Sequence, residues 1–236
     1  MSLIKVKNLC KYYSSGIINQ ELTKAVDDVS FEIKRNEIVG LMGSSGSGKT
    51  TVGRLILRYI KPTSGQIIFD GQDITKLNST NLRPFRPRMQ MIFQNPEASI
   101  DPRMSIENFI AEPLRVVKKI DESEVHERVS QLLEDVGLTE DIRKRRACQV
   151  SGGQNQRAVI ARILASNPEF IVSDEATSNL DVSAQAQIIQ LLKKIHEEYN
   201  LAILFISHDR ELVDIVCDRW FEMERGKIKL RAAISP

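Results

Sequence analysis

The sequence predicts an α/β fold built around a phosphate-binding glycine loop, and three observations carry that prediction. GSSGSGKT, from Gly43 to Thr50, matches G-x-x-x-x-G-K-[ST] at every position. It lies between the apolar run Ile38 to Met42, read as a buried strand, and Thr51 to Ile60, read as a helix. Strand, glycine loop and helix in that order are the context in which the pattern marks a phosphate cradle. A second apolar run, Phe170 to Ser173, ends in the carboxylates Asp174 and Glu175. Between and beyond these runs, helical and extended patterns alternate, as a parallel sheet with helical crossovers requires.

The glycine loop is justified residue by residue. Gly43, Gly46 and Gly48 let the backbone turn its N–H groups inward, and Ser44, Ser45 and Ser47 are expected to bind the nucleotide with them. The helix that follows adds the positive end of its dipole. Lys49 can reach the β- and γ-phosphates of a nucleotide, the Thr50 hydroxyl can ligate Mg²⁺, and Thr51 is expected among the nucleotide-binding residues. Asp174 at a strand end suits a Mg²⁺-coordinating group, and Glu175 beside it suits a base that polarises water. Two solvated acids at a strand end are the plainer alternative.

VSGGQNQR, from Val150 to Arg157, opens an apolar-periodic helix with Ser151, Gly152, Gly153 and Gln154. This is a second anion site without a lysine. One chain does not need two cradles for one nucleotide, so these residues are expected to serve a nucleotide held by another subunit. An ordinary Ser-capped helix is the alternative. Gln94 has the reach to sense a metal or an attacking water. His208, after the apolar strand Ala202 to Ile206, is expected at a sheet edge where an imidazole can donate to developing negative charge. His126 and His196 lie in charged helical patterns and read as solvated.

The remaining elements are helix 152–166, strand 169–173, helix 183–199, strand 201–206, helix 209–216 and a terminal hairpin over Trp220 to Ile228 turning at Arg225 and Gly226. Short extended runs at Ile4 to Val6, Val29 to Ile33 and Gln66 to Phe69 precede them. Residues 95–149 change character. Val125, Val129, Leu132, Leu133 and Val136 share one face of a charged helix there, which predicts a helical insert between 1–94 and 150–236.

Composition sets the compartment and excludes some classes. The chain has 236 residues and a formal net charge of +2, which gives no reason to invoke nucleic acid. No apolar run reaches transmembrane length, and MSLIKVKNLC lacks a signal-peptide pattern. Cys10, Cys148 and Cys217 form neither a disulfide framework nor a metal motif, and suit a reducing compartment.

In their order, these motifs resemble those of an ATP-binding cassette (ABC) ATPase subunit, and the likeness covers nearly all of the chain. The glycine loop resembles Walker A, and Phe170 to Glu175 resembles Walker B with its catalytic glutamate. Val150 to Gln154 is similar to the LSGGQ signature, with Val150 for Leu; Gln94 is similar to the Q-loop glutamine, and His208 to the switch histidine. Ser178, Asn179, Leu180 and Asp181 resemble the D-loop, and Tyr13 the aromatic that stacks on adenine, with Tyr12 as the alternative. The resemblance implies a P-loop NTPase core with an antiparallel β subdomain and a helical subdomain. It also implies hydrolysis of ATP with Mg²⁺, held by Thr50, Asp174 and Gln94. Glu175, His208 and Gln94 are the implied catalytic groups, and Ser151 to Gln154 the implied contact across the dimer. The implied partners are a second ABC ATPase subunit, identical or not, two membrane-spanning permease subunits and, through them, an extracytoplasmic substrate-binding protein. The implied location is the cytoplasmic face of the membrane.

Phe93 to Leu114 resembles the Q-loop region of the peptide/nickel importer branch. Pro96, Pro102 and Pro113 are expected to stiffen a surface loop there. EATSNLD, with Ala176 and Asn179, is similar to the nickel-type subunits, so peptides and metal chelates both stand as cargo. A non-transport ABC protein acting in translation or on DNA is the alternative function, but no second cassette, heptad run or cysteine-rich module supports it. The chain stops at Pro236 without the C-terminal extension common in that branch, so it is either naturally short or trimmed.

Overall fold

The computed structural model describes residues 1–15, 21–94, 100–177 and 181–233. Two sheets form. In the first, β2 (Glu21–Lys34), β1 (Ser2–Ser15), β4 (Ser64–Phe69) and β5 (Gln72–Asp73) lie side by side and antiparallel. The second runs β10 (Lys227–Ala233), β9 (Arg219–Glu224), β3 (Ile38–Met42), β8 (Ala202–Ser207), β7 (Phe170–Asp174), β6 (Met89–Ile92). From β9 to β6 its strands are parallel, and β10 folds back antiparallel on β9.

The parallel strands read as unbroken apolar runs because both of their faces are covered. Side chains alternate between the two cores with the period of an extended chain. Val39, Leu41, Val172 and Leu204 pack toward α1 (Lys49–Ile56) and the antiparallel sheet. Ile38, Ile171, Ile203 and Phe205 pack in the core shared by α5 (Gly152–Ala165), α6 (Val182–Tyr199) and α7 (Arg210–Val216). A short α2 (Ser79–Leu82), capped by the Asn78 side chain, leads into β6. Residues 100–149 carry α3 (Ile106–Pro113), a π-type turn over Leu114–Lys118, α4 (Glu122–Asp135) and two single-turn 3₁₀ segments. Val125, Val129, Leu132 and Leu133 are the buried face of α4 and join the core of α5.

Three local expectations are corrected. The helix after the glycine loop begins two residues early, at Lys49, and stops at Ile56 instead of Ile60. Arg58 ends it: the residue is left-handed (φ 56°) and buried, with its guanidinium donating to the carbonyls of Ile60, Ile74 and Leu77. Pro113 is the buried last residue of α3 and does not stand in a surface loop. It has no N–H for the Phe109 carbonyl four residues back, and the Arg162 guanidinium donates there instead, at 2.6 Å. Pro96 lies outside the described residues. His196 is half-buried, with Nδ1 2.7 Å from the Leu201 carbonyl oxygen at the end of α6, whereas His126 is exposed as expected.

Candidate active site

The parallel register brings the C-terminal ends of three strands to one place. Met42 pairs with Ser207 and Asp174 with Ile206, so Gly43, Glu175 and His208 are the next residues out of adjacent strands. Ligands of open α/β sheets bind at this edge, outside the carboxyl ends of the strands. A cavity of about 610 Å³ opens here, lined by Ser45, Gly46, Gly48, Lys49, Thr50 and Thr51 of the loop and helix, by Gln94, and by Glu175. Its other wall is Leu22, Thr23, Lys24 and Ala25 of β2 with Arg225 and Gly226 of the terminal hairpin.

The loop is glycine-rich because its backbone is pressed against two other segments. A Cβ at Gly48 (φ 111°) would lie 2.1 Å from the Ala25 carbonyl oxygen, and one at Gly43 would lie 2.2 Å from that of Met223. The Lys49 ammonium is buried and donates to the carbonyls of Gly43 and Ser44, at 2.8 and 2.9 Å. Burial lowers its pKa, opposed by the nearby Glu175 and Asp174 carboxylates. The Thr50 hydroxyl donates to Asp174 Oδ1 at 3.0 Å. Burial raises the Asp174 pKa, and the Thr50 hydrogen bond works against that rise.

Glu175 leaves β7 in a left-handed conformation (φ 48°) that residues with a Cβ avoid, with its N–H on the Ile206 carbonyl at 3.1 Å. Backbone strain of this kind collects at working sites. It sets Glu175 Oε1 3.9 Å from Lys49 Nζ and 3.6 Å from His208 Nδ1. Gln94, Lys49, Thr50 and Glu175 therefore share one cavity, with Asp174 behind Thr50 and His208 beside Glu175.

Other expected residues lie elsewhere. Tyr13 stands across from Thr23 in the β1–β2 register and does not itself line the cavity. The Tyr12 hydroxyl donates to Asp27 at 2.6 Å. Ser151, Gly152, Gly153 and Gln154 do not line the cavity either. Ser151 caps α5 through a reciprocal pair with Gln154, each side chain bonded to the other's backbone N–H. A Cβ at Gly153 would meet nothing within 4 Å, so the packing of this chain does not require glycine there. Asp181 caps α6 on the Ala184 N–H, while Ser178, Asn179 and Leu180 lie outside the described residues. Ala176 is buried, and its carbonyl accepts from the Gln156 side chain.

Lys24 and Arg225 were not singled out from the sequence as site residues. They sit far from the glycine loop along the chain, and only the Arg-Gly turn hinted at the second.

Comparison with known proteins agrees with this geometry. An ABC transporter family model matches residues 26–178. The oligopeptide transport ATP-binding protein OppF of Streptococcus mutans is 45% identical over 227 residues, covering 96% of this chain and 73% of the relative. The oligopeptide transport ATP-binding protein AppF of Bacillus subtilis is 44% identical over 232 residues, covering 96% and 70%. Among solved structures, the dimeric post-hydrolysis state of the ATP-binding cassette MJ0796 bound to ADP and Pi matches with a TM-score of 0.87 at 30% identity, covering 99% of each chain. With a phosphate cradle, a hydrogen-bonded Asp174–Thr50 pair and a strained glutamate at one cavity, and with relatives at this level of identity, the chain belongs to the ABC transporter family, as one of its ATPases.

Proposed function

We propose that this chain is the ATP-hydrolysing motor subunit of a membrane importer for peptides, working at the cytoplasmic face of the membrane. The observation that carries the reading is the convergence of Lys49, Thr50, Asp174, Glu175 and Gln94 around one cavity. The peptide cargo rests on the relatives, which are oligopeptide transport proteins. The non-transport alternative has no such support. No helix of the described residues is long and apolar enough to cross a membrane, in keeping with a motor that depends on separate permease subunits.

In this reading Lys49 exchanges the Gly43 and Ser44 carbonyls for the β- and γ-phosphates of ATP, and the loop N–H groups hold the phosphate chain. Thr50, Asp174 and Gln94 would hold Mg²⁺. A hydroxyl, a carboxylate and an amide oxygen are the hard donors it prefers, and a cation there would offset the burial that disfavours the charged form of Asp174. When bound, that ion neutralises charge on the phosphate oxygens. Glu175 accepts the proton of the attacking water as its oxygen bonds to the γ-phosphorus and the bond to the ADP oxygen breaks. His208 donates a hydrogen bond to the charge that develops. Tyr13, paired with Thr23 of the cavity wall, stacks on the adenine in this reading.

The loop from Ser151 to Gln154 serves the partner's nucleotide. It does not line this chain's cavity, and the open space at Gly153 leaves room for the phosphate of a second cassette packed head to tail. We infer that Asp181, which caps α6, borders the same interface, and that the helices of residues 100–149 meet the permease subunits. The test is ATP turnover in liposomes carrying the chain with its permease subunits, a second cassette and the binding protein. Turnover should rise when the binding protein is loaded with peptide and not with a nickel chelate. The reverse result would make metal chelates the cargo.

A further inference from the structure

Two tight hairpins of this chain share one build and differ in one residue. β4 and β5 pair Phe69 with Gln72 around Asp70 and Gly71, and β9 and β10 pair Glu224 with Lys227 around Arg225 and Gly226. In both, the two turn residues have positive φ: 50° and 79° in the first, 46° and 80° in the second. This is the requirement of a type I′ turn, which Asn-Gly and Asp-Gly meet best. Asp70 is the residue that turn chemistry asks for, and Arg225 is not. A local rule broken without local gain points to function.

The second turn is also fixed in place. The Gly226 N–H donates to the Ser47 carbonyl of the glycine loop at 3.0 Å, and its carbonyl accepts from the Asp27 N–H at 2.8 Å. A Cβ at Gly226 would lie 2.7 Å from the Lys24 carbonyl oxygen. Arg225 is thereby held in the wall of the nucleotide cavity.

The charges of the cavity make the position useful. Lys49 faces the carboxylates of Glu175 and Asp174, and Lys24 stands 3.5 Å from Asp27. Arg225 alone among these cations has no hydrogen bond or ion pair with any described residue. A polyphosphate brings several negative charges into a site whose other cations already face acids, and a planar guanidinium is well shaped to bind phosphate oxygens.

We propose that Arg225 is a nucleotide-contacting residue, a second cation beside Lys49 whose guanidinium binds the phosphate chain from the hairpin wall. The inference rests on the ATPase reading above. It is tested on the full chain by ATP calorimetry and by thermal unfolding without nucleotide, for wild type, Arg225→Asn and Arg225→Lys. Arg225→Asn should raise the unfolding midpoint, because Asn suits the left-handed turn, yet weaken ATP binding roughly tenfold. Arg225→Lys should keep most of the affinity. A purely structural role would move the midpoint and leave affinity unchanged. Wild-type affinity in Arg225→Asn overturns the inference and leaves the Lys49 site standing. Equal losses in both variants would also support it, because the planar fork and not charge alone would then hold the phosphate oxygens. A wild-type chain that binds no ATP, or a Lys49→Ala variant that binds it normally, overturns the ATPase reading and this inference with it.

Discussion

At the N-terminal ends of the parallel strands the charges close on one another, whereas at the C-terminal ends they are held apart. Ahead of β6 and β7, Arg88 and Glu169 form a ring with Arg35 and Asp70. Arg35 bonds Asp70 at 2.5 Å and Glu169 at 2.7 Å; Arg88 bonds Asp70 at 2.6 Å and also bonds Glu169. Ahead of β3, Glu37 takes the Lys34 N–H at 2.6 Å and Arg219 at 2.8 Å. The opposite ends carry a buried ammonium resting on backbone carbonyls, a carboxylate disfavoured by burial, and Glu175 and Arg225 in the left-handed region. Asn36, Asp70, Asn167 and Asn200, left-handed positions at the ring end, are instead residue types that tolerate it. Both ends belong to one sheet, with the same two cores on its faces. The ring end is arranged for stability, and the cavity end stores strain and incompletely matched charge that a bound nucleotide can use.

The comparison is sharpest where a substitution changes chemistry without changing shape. Glu175→Gln keeps the strained turn and removes the base. Single-turnover hydrolysis should slow by about 10²- to 10⁴-fold, with ATP binding retained and a closed dimer trapped on size-exclusion chromatography. Near-normal turnover in the assembled complex would pass the role to Gln94 or His208. Lys49→Ala removes the charge from the cradle and should weaken ATP binding about 10²-fold by calorimetry. Because the ammonium is buried at a desolvation cost, the nucleotide-free protein should not lose stability. His208→Ala should slow hydrolysis roughly tenfold with little change in affinity, since it acts on charge that develops in the transition state.

Much of the cavity end was legible because its motifs are contiguous. Gly43 to Thr50 and Phe170 to Glu175 each carry strand, turn and chemistry in one short string, and β3, β7 and β8 show it in their apolar runs. The alternation of elements likewise placed α5, α6, α7 and the terminal hairpin to within a few residues. What escaped depends on contacts distant in sequence. The end of α1 is decided by Arg58 reaching Ile74 and Leu77, and the burial of Pro113 by Arg162. Lys24 and Arg225 reach the cavity only because β2 and the last hairpin fold against the glycine loop. The ring of Arg35, Asp70, Arg88 and Glu169 joins segments up to 134 residues apart, and no local pattern announces it.

The smallest effects belong to the ring, and they test the comparison through pH. Glu169→Gln should cost about 1 kcal/mol by urea unfolding at pH 7, since the pairs are partly solvated, and should leave ATP affinity unchanged.

The acid dependence gives the two ends opposite signs. Arg88 and then Arg35 hold the Asp70 pKa below its ordinary value, and Arg88 does the same for Glu169. A depressed carboxyl stabilises the fold above its unfolded pKa, about 4, and that contribution is lost as pH falls through the folded value. The deficit of Glu169→Gln relative to wild type should therefore shrink on acidification below about pH 4. Asp174 runs the other way. Its folded pKa is raised by burial, so the folded state takes up a proton first, and its ionisation opposes folding as pH rises above about 4. Asp174→Asn should be more stable than wild type near pH 7, and that advantage should diminish as pH is lowered toward 4. If the two variants instead converge on wild type from the same side, the cavity end is not under electrostatic strain, and Asp174 is as well satisfied as the ring.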